Sequence, residues 1–267
     1  MRVRIHVAAC AAAAVLAAPV WAQTVDDRAA ARDIVTKRGD AVVVVRATVK
    51  VRASRGSQQL DPLEDTITAN AVVLDGTGLA VTALSQLDPS DMLKRMLSAP
   101  GGPAMEMSVE QSEIRFRLAN GTEVPAKIVL RDRDLDLAFL RPTAAPASPM
   151  ISVDMTMPGK VQMADMVIVL QRFGEMTGWK PGVSFGSVQA VVEKPRTLYV
   201  VAATSVGGGG LGSAVFDTTG KFLGLIVMRS MSSRPSMLSM MQGSEGAGLL
   251  PVVLPVEEIA ELAKQAK

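Results

Sequence analysis

Strict two-residue alternation is the feature that most limits what this chain can fold into. Val45, Ala47, Val49 and Val51 alternate with Arg46, Thr48, Lys50 and Arg52. Successive side chains point to opposite faces only in an extended strand, so this segment reads as a half-buried strand. The period returns at Ile114, Phe116 and Leu118, set between Glu113, Arg115 and Arg117, and again at Val124, Ala126, Ile128 and Leu130. Asn120-Gly121 separates those two runs and predicts a tight primed turn. Residues 69–74 and 79–84 flank Asp75-Gly-Thr-Gly78, a second hairpin signal, and residues 136–140 close this set of strands.

Residues 142–151 (PTAAPASPMI) read as a linker. Beyond them strands are expected at 161–170, 183–192, 197–203, 213–216 and 222–228, with Thr219-Gly220 marking a further hairpin. Gly207 to Gly210 break the uncharged stretch 197–216 into strand, loop and strand. Two helices frame the strands. Residues 24–38 form a short one stopped by Gly39. The second begins at Pro255, with Glu257 and Glu258 early, Lys264 and Lys267 late, and Val256, Ile259, Ala260 and Ala263 on one face. Many short strands with few helices make this an all-β chain, a sandwich or barrels.

The N-terminus, MRVRIHVAACAAAAVLAAPVWA, has the form of an export signal. Arg2 and Arg4 precede an apolar run from about Val7 to Ala18, too short to span a bilayer, which takes roughly 20 residues. Val20-Trp21-Ala22 supplies the small residues of a cleavage site, so residues 1–22 are expected to be removed and the protein to be periplasmic or secreted. His6 and Cys10 are the chain's one histidine and one cysteine, and both leave with that segment. The remaining 245 residues have no disulfide, no thiol nucleophile and no conventional His or Cys zinc site. Loss of Arg2 and Arg4 leaves 26 basic against 26 acidic residues. A neutral chain has no electrostatic footprint for nucleic acid, and no polybasic cluster points to a membrane surface.

Five segments, in order, resemble the trypsin-like fold, and within it the bacterial HtrA/Deg-type proteases. AVVLDGTGLAVTALSQL (71–87) is similar to the stretch ending in Thr-Asn-x-His-Val, with Thr82 matched and Ser85 at the histidine position. NGTEVPAKIVLRDRDLDLAFLRP (120–142) resembles the pattern that leads into D-x-x-x-DLALL, and it sets Asp136 at the aspartate position. GVSFGSVQAVVE (182–193) is similar to the strand after the crossover. GGGGLGSAVFDTTGKFLGLIV (207–227) resembles the Gly-Asn-Ser-Gly-Gly-Pro-Leu loop, with Leu211 at the serine position, Gly212 kept, and Ser213 where a second glycine is usual. The helix after Leu250-Pro251 fits as well, and no segment resembles a PDZ domain. The resemblance implies a trypsin-like double β-barrel: an N-terminal helix and first barrel over 23–145, and a second barrel with the C-terminal helix over 146–267.

Hydrolysis by such a fold needs an attacking hydroxyl, an imidazole to take its proton and a carboxylate to orient the imidazole. Ser85, Asp136 and Leu211 therefore make a degenerate triad, and no catalytic residue, cofactor or metal is expected. Asp136 also reads as a structural carboxylate that accepts backbone N–H bonds at a strand start. Gly209, Gly210 and Leu211 stand where an oxyanion loop would be, either still able to bind a carbonyl or simply unconstrained. An active hydrolase is the alternative, with Ser213 or Ser205 as nucleophile and Lys180, Lys194 or Lys221 as base.

Fifteen methionines remain after residue 22, many of them clustered. Met92 and Met96 have helical spacing, and residues 229–247 read as a loop rich in Ser, Met and Gly. Three uses stay open: apolar filler in a chain that is 3% aromatic, a pliable surface for a protein or peptide partner, or thioether ligands for Cu(I). The function expected is an exported pseudoprotease that binds a polypeptide partner.

Overall fold

The computed structural model describes residues 21–55, 58–90, 105–203, 210–230 and 249–266. Residues 1–20, which include most of the expected export signal with His6 and Cys10, the segment holding Met92 and Met96, Ser205 and Gly207 to Gly209, and residues 231–248 lie outside them.

The alternating run becomes β1 (Val42–Arg55), and its period explains both of its faces. Val43 and Val45 enter a cluster with Ala69, Ala71, Phe116 and Leu140. Val42 turns to a larger cluster that collects residues from every part of the chain, Ile34, Phe139, Phe216 and Ile259 among them. The four consecutive valines at 42–45 are therefore buried on both sides, whereas alternation sets in where one side meets solvent. On that side Lys50 is cross-strand from Glu64 and Glu110, and Arg52 pairs with Glu110 at 2.5 Å.

β1 pairs antiparallel with β3 (Leu63–Val73) and β5 (Met105–Arg117), and with the short β2 (Gln58–Gln59). β4 (Ala80–Ala83), β6 (Glu123–Asp132) and β7 (Leu137–Pro142) complete the order β1-β3-β4-β7-β6-β5, which β1 and β5 close into a six-stranded barrel. A bulge opposite Ala47 places Glu113 at φ +50° and bends β5, so the ends of β1, β3 and β5 run on past the barrel. The second closed barrel, β10-β13-β12-β11-β8-β9, uses β8 (Met166–Arg172), β9 (Pro181–Val192), β10 (Leu198–Ala203), β11 (Ala214–Asp217), β12 (Phe222–Ser230) and β13 (Leu249–Pro255). Helices α1 (Trp21–Arg38), α2 (Leu84–Leu87) and α3 (Val256–Ala263) complete the described fold. Ala31 and Ile34 of α1 and Val256 and Ile259 of α3 join the cluster shared by the two barrels. No helix among the described residues is long and apolar enough to cross a membrane.

Three local expectations change. The turn after β5 is not primed. The Gly121 N–H donates to the Leu118 carbonyl and only Gly121 takes a left-handed φ, +84°, which makes a three-residue loop with a glycine bulge. The expected strand from Val161 starts at Met166, because Asp165 Oδ2 accepts the Gln162 N–H and Ala164 sits at φ +74°. β13 was not anticipated. Pro251 and Pro255 argue against a central strand. In the fold they flank Tyr199↔Val253, the single pair that joins β13 to β10.

Candidate active site between the barrels

Asp136 stands just before β7 in the left-handed region, φ +58°, which aspartate tolerates better than most residues. Its carbonyl accepts the Leu84 N–H at 2.9 Å, and its carboxylate Oδ1 accepts the Ser85 N–H at 2.7 Å. Two of the N–H groups that open α2 are thus satisfied from another strand, since Ala83 makes no side-chain cap. Oδ2 accepts the Ser85 hydroxyl at 3.0 Å and the Met228 N–H of β12 at 2.7 Å. One buried carboxylate therefore ties the first barrel to the second. Burial pushes its pKa up to about 6, against the lowering effect of the Met228 and Ser85 hydrogen bonds and the charge of Arg229.

Leu211 lies in a turn of the second barrel that presses on the first. Ahead of β11 a turn is held by the Gly212 N–H on the Ile226 carbonyl, 2.8 Å, and the Ser213 N–H on the Gly210 carbonyl, 3.2 Å. Gly212 has φ +77°, and a Cβ there would lie 2.3 Å from the Asn70 carbonyl and 2.6 Å from Thr82 Oγ1. Thr82 Oγ1 itself donates to that carbonyl at 2.6 Å. Only glycine lets the turn press this closely on β3 and β4. The Leu211 side chain is buried in a cluster that also holds Ala83, Val215 and Ile226. Ser85 and Asp136 are in direct contact, whereas Leu211 is buried in an apolar cluster that includes neither of them.

The remaining candidates fall elsewhere. Ser213 is 0% exposed, and its hydroxyl has no hydrogen-bond partner among the described residues. Lys180, Lys194 and Lys221 are solvent-exposed. Gly210 is buried ahead of Leu211, while Gly209 and Ser205 lie outside the described residues. Met150, Met155 and Met228 pack against the apolar clusters, whereas Met157, Met163 and Met176 are exposed. No group of three or more His, Cys, Asp or Glu residues suited to a metal ion occurs among the described residues.

Sequence reasoning missed Arg172. It is buried at the end of β8, where Nε donates to the Val42 carbonyl, Nη1 to the Trp179 carbonyl at 3.0 Å, and Nη2 to the Gly39 carbonyl at 2.9 Å and to Asp40 at 3.0 Å. Its backbone N–H donates to Asn70 Oδ1 at 2.7 Å. The available signal was a lone guanidinium closing the apolar run MVIVLQR, since a buried charge needs partners.

Solved structures share the fold at low identity. Deg5 superposes with a TM-score of 0.54 at 15% identity, over 88% of this chain and 92% of its own. The HtrA-type protease AlgW, solved with a decapeptide, gives a TM-score of 0.56 at 16% identity, over 88% of this chain and 66% of its own. No curated protein matches the sequence significantly. The double barrel and these likenesses agree with a trypsin-like protease fold related to HtrA. Residues 67–225, more than half of the chain, match the family described as the trypsin-like peptidase domain, and this chain belongs to that family.

Proposed function

We propose that this chain is an exported, catalytically inactive trypsin-like homologue that holds a polypeptide partner. In this reading residues 1–22 are a signal peptide, the product is periplasmic or secreted, and the two barrels divide near residue 145. The hydrogen bonding of Asp136 carries the proposal. Where an oriented imidazole would be needed, the carboxylate accepts the Ser85 hydroxyl and the Ser85 and Met228 N–H groups. A serine hydroxyl does not take up a proton near neutral pH as an imidazole does. Leu211, at the position of the attacking oxygen, offers only carbon. The chain's one histidine, His6, lies within the proposed signal. The decapeptide in the AlgW structure supports a polypeptide as the class of partner.

Purified protein is expected to leave casein and peptide substrates intact and to take no label from a fluorophosphonate. Leu211→Ser alone is expected to restore neither, because no base accompanies the hydroxyl. Hydrolysis by the wild type that one point mutation abolishes would reject the reading. A rebuilt site at Ser213 is not favoured, since its buried hydroxyl contacts no amine among the described residues.

A further inference from the structure

Two cavities, of about 310 and 450 Å3, lie over the outer face of the first barrel and are lined in common by Thr68, Gly174 and Trp179. The first reaches Asn70 and Gln86, the neighbour of Ser85. The second runs over Arg46, Thr66 and Arg117. Trp179 is the one large side chain of the three they share, and its backbone is an outlier: φ is +61°, a region bulky residues avoid. Its hold is made of parts. The N–H donates to the Gly174 carbonyl at 3.3 Å, the carbonyl accepts from Arg172, and the ring lies 5.9 Å from the Arg117 guanidinium carbon. Gly174 and Gly178 bracket the loop tip, with nothing within 4 Å of where either side chain would stand, and Met176 between them is fully exposed.

We propose that Trp179 is a gate in a polypeptide-binding groove, closed as observed and displaced when an extended segment lies along Thr66, Thr68 and Asn70. The proposal rests on the polypeptide-binding reading above and names where on the fold the partner lies and what regulates its entry. Displacing the ring joins the two cavities into one channel that ends beside Ser85. The charges favour an uncharged chain over a polyanion. Arg46 and Arg117 share Glu123 at 2.6 and 3.8 Å, Glu175 stands on the rim, and Arg172 is matched by Asp40. What remains on the floor is neutral: the exposed Thr66 and Thr68, whose hydroxyls suit backbone N–H and C=O groups. Strain held at one residue between two spaces is the mark of an element with two positions.

The test uses the full chain with Trp21→Phe, which makes Trp179 the sole tryptophan, labelled as 5-fluorotryptophan. The probe is an unfolded peptide of Ala, Ser, Thr and Val, free of charged side chains and of tryptophan, with a fluorescein tag for anisotropy. The fluorine resonance of Trp179 is expected to move to a new position, saturating with the anisotropy. Trp179→Gly is expected to bind about three- to tenfold more tightly, because the closed form no longer competes. Arg117→Gln should shift affinity the same way. Binding that leaves the Trp179 resonance unmoved would overturn the gate while leaving the polypeptide reading standing. A tenfold weaker Trp179→Gly would make the ring a contact surface and overturn the gate as well. No binding by either form would reject gate and polypeptide partner together.

Discussion

Asp136 should make the fold less stable as pH rises from 4 to 7, the reverse of what a salt-bridged carboxylate does. Its pKa stands at about 6 against an ordinary 3.8. Between those values the folded chain holds a proton that the unfolded chain has released, so stability falls with rising pH. A gap of about two pKa units corresponds to roughly 3 kcal/mol, fully felt above pH 6 and absent below about 3.8. Asp136→Asn removes the titration and isolates the effect. The amide oxygen can keep the bonds from the Ser85 hydroxyl and Met228, while the amide nitrogen opposes the Ser85 N–H, costing about 1–3 kcal/mol at every pH. The variant should therefore be clearly weaker than wild type at pH 4 and close to it at pH 7. Urea unfolding at half-unit pH steps measures both curves. Parallel curves, or a wild type that gains on the variant as pH rises, would refute the account of this site.

Three further outcomes follow from the packing. Gly212→Ala must resolve a left-handed φ and a 2.3 Å approach to a backbone carbonyl, and should cost about 3 kcal/mol or more in thermal or urea unfolding; a loss under 1 kcal/mol would show that β3 can yield there. Arg172→Met leaves the Gly39, Val42 and Trp179 carbonyls without their donor, and about 3–5 kcal/mol is expected, with Arg172→Lys unable to reach all three. Ser213→Ala deletes a buried hydroxyl that bonds to nothing described, so stability should stay level or rise by up to about 1 kcal/mol; a larger loss would reveal a partner for that oxygen.

The strands of both barrels were legible wherever burial differs between two faces, because the pleat writes that difference into neighbouring residues. Val45 to Arg52 needed no partner to be recognised as a strand. The Asp75 turn was legible for a similar local reason: its carboxylate accepts the Thr77 and Leu79 N–H groups within the same few residues. β13 was hidden because its prolines speak against the ladder, and only the tertiary pairing, continuous with β12 but a single pair with β10, leaves room for them. The site divides along the same line. The resemblance drew Ser85, Asp136 and Leu211 together, and residue identity alone says that none of them is an imidazole. That Met228 would share the Asp136 carboxylate, that burial would raise its pKa, and that the Arg172 guanidinium of β8 would reach the Gly39 and Val42 carbonyls at the entry to the first barrel depended on the tertiary structure. Those contacts join residues 92 apart for Met228 and 130 or more apart for Arg172 with Val42 and Gly39. A local pattern records which face is buried; it does not record what lies on the other side.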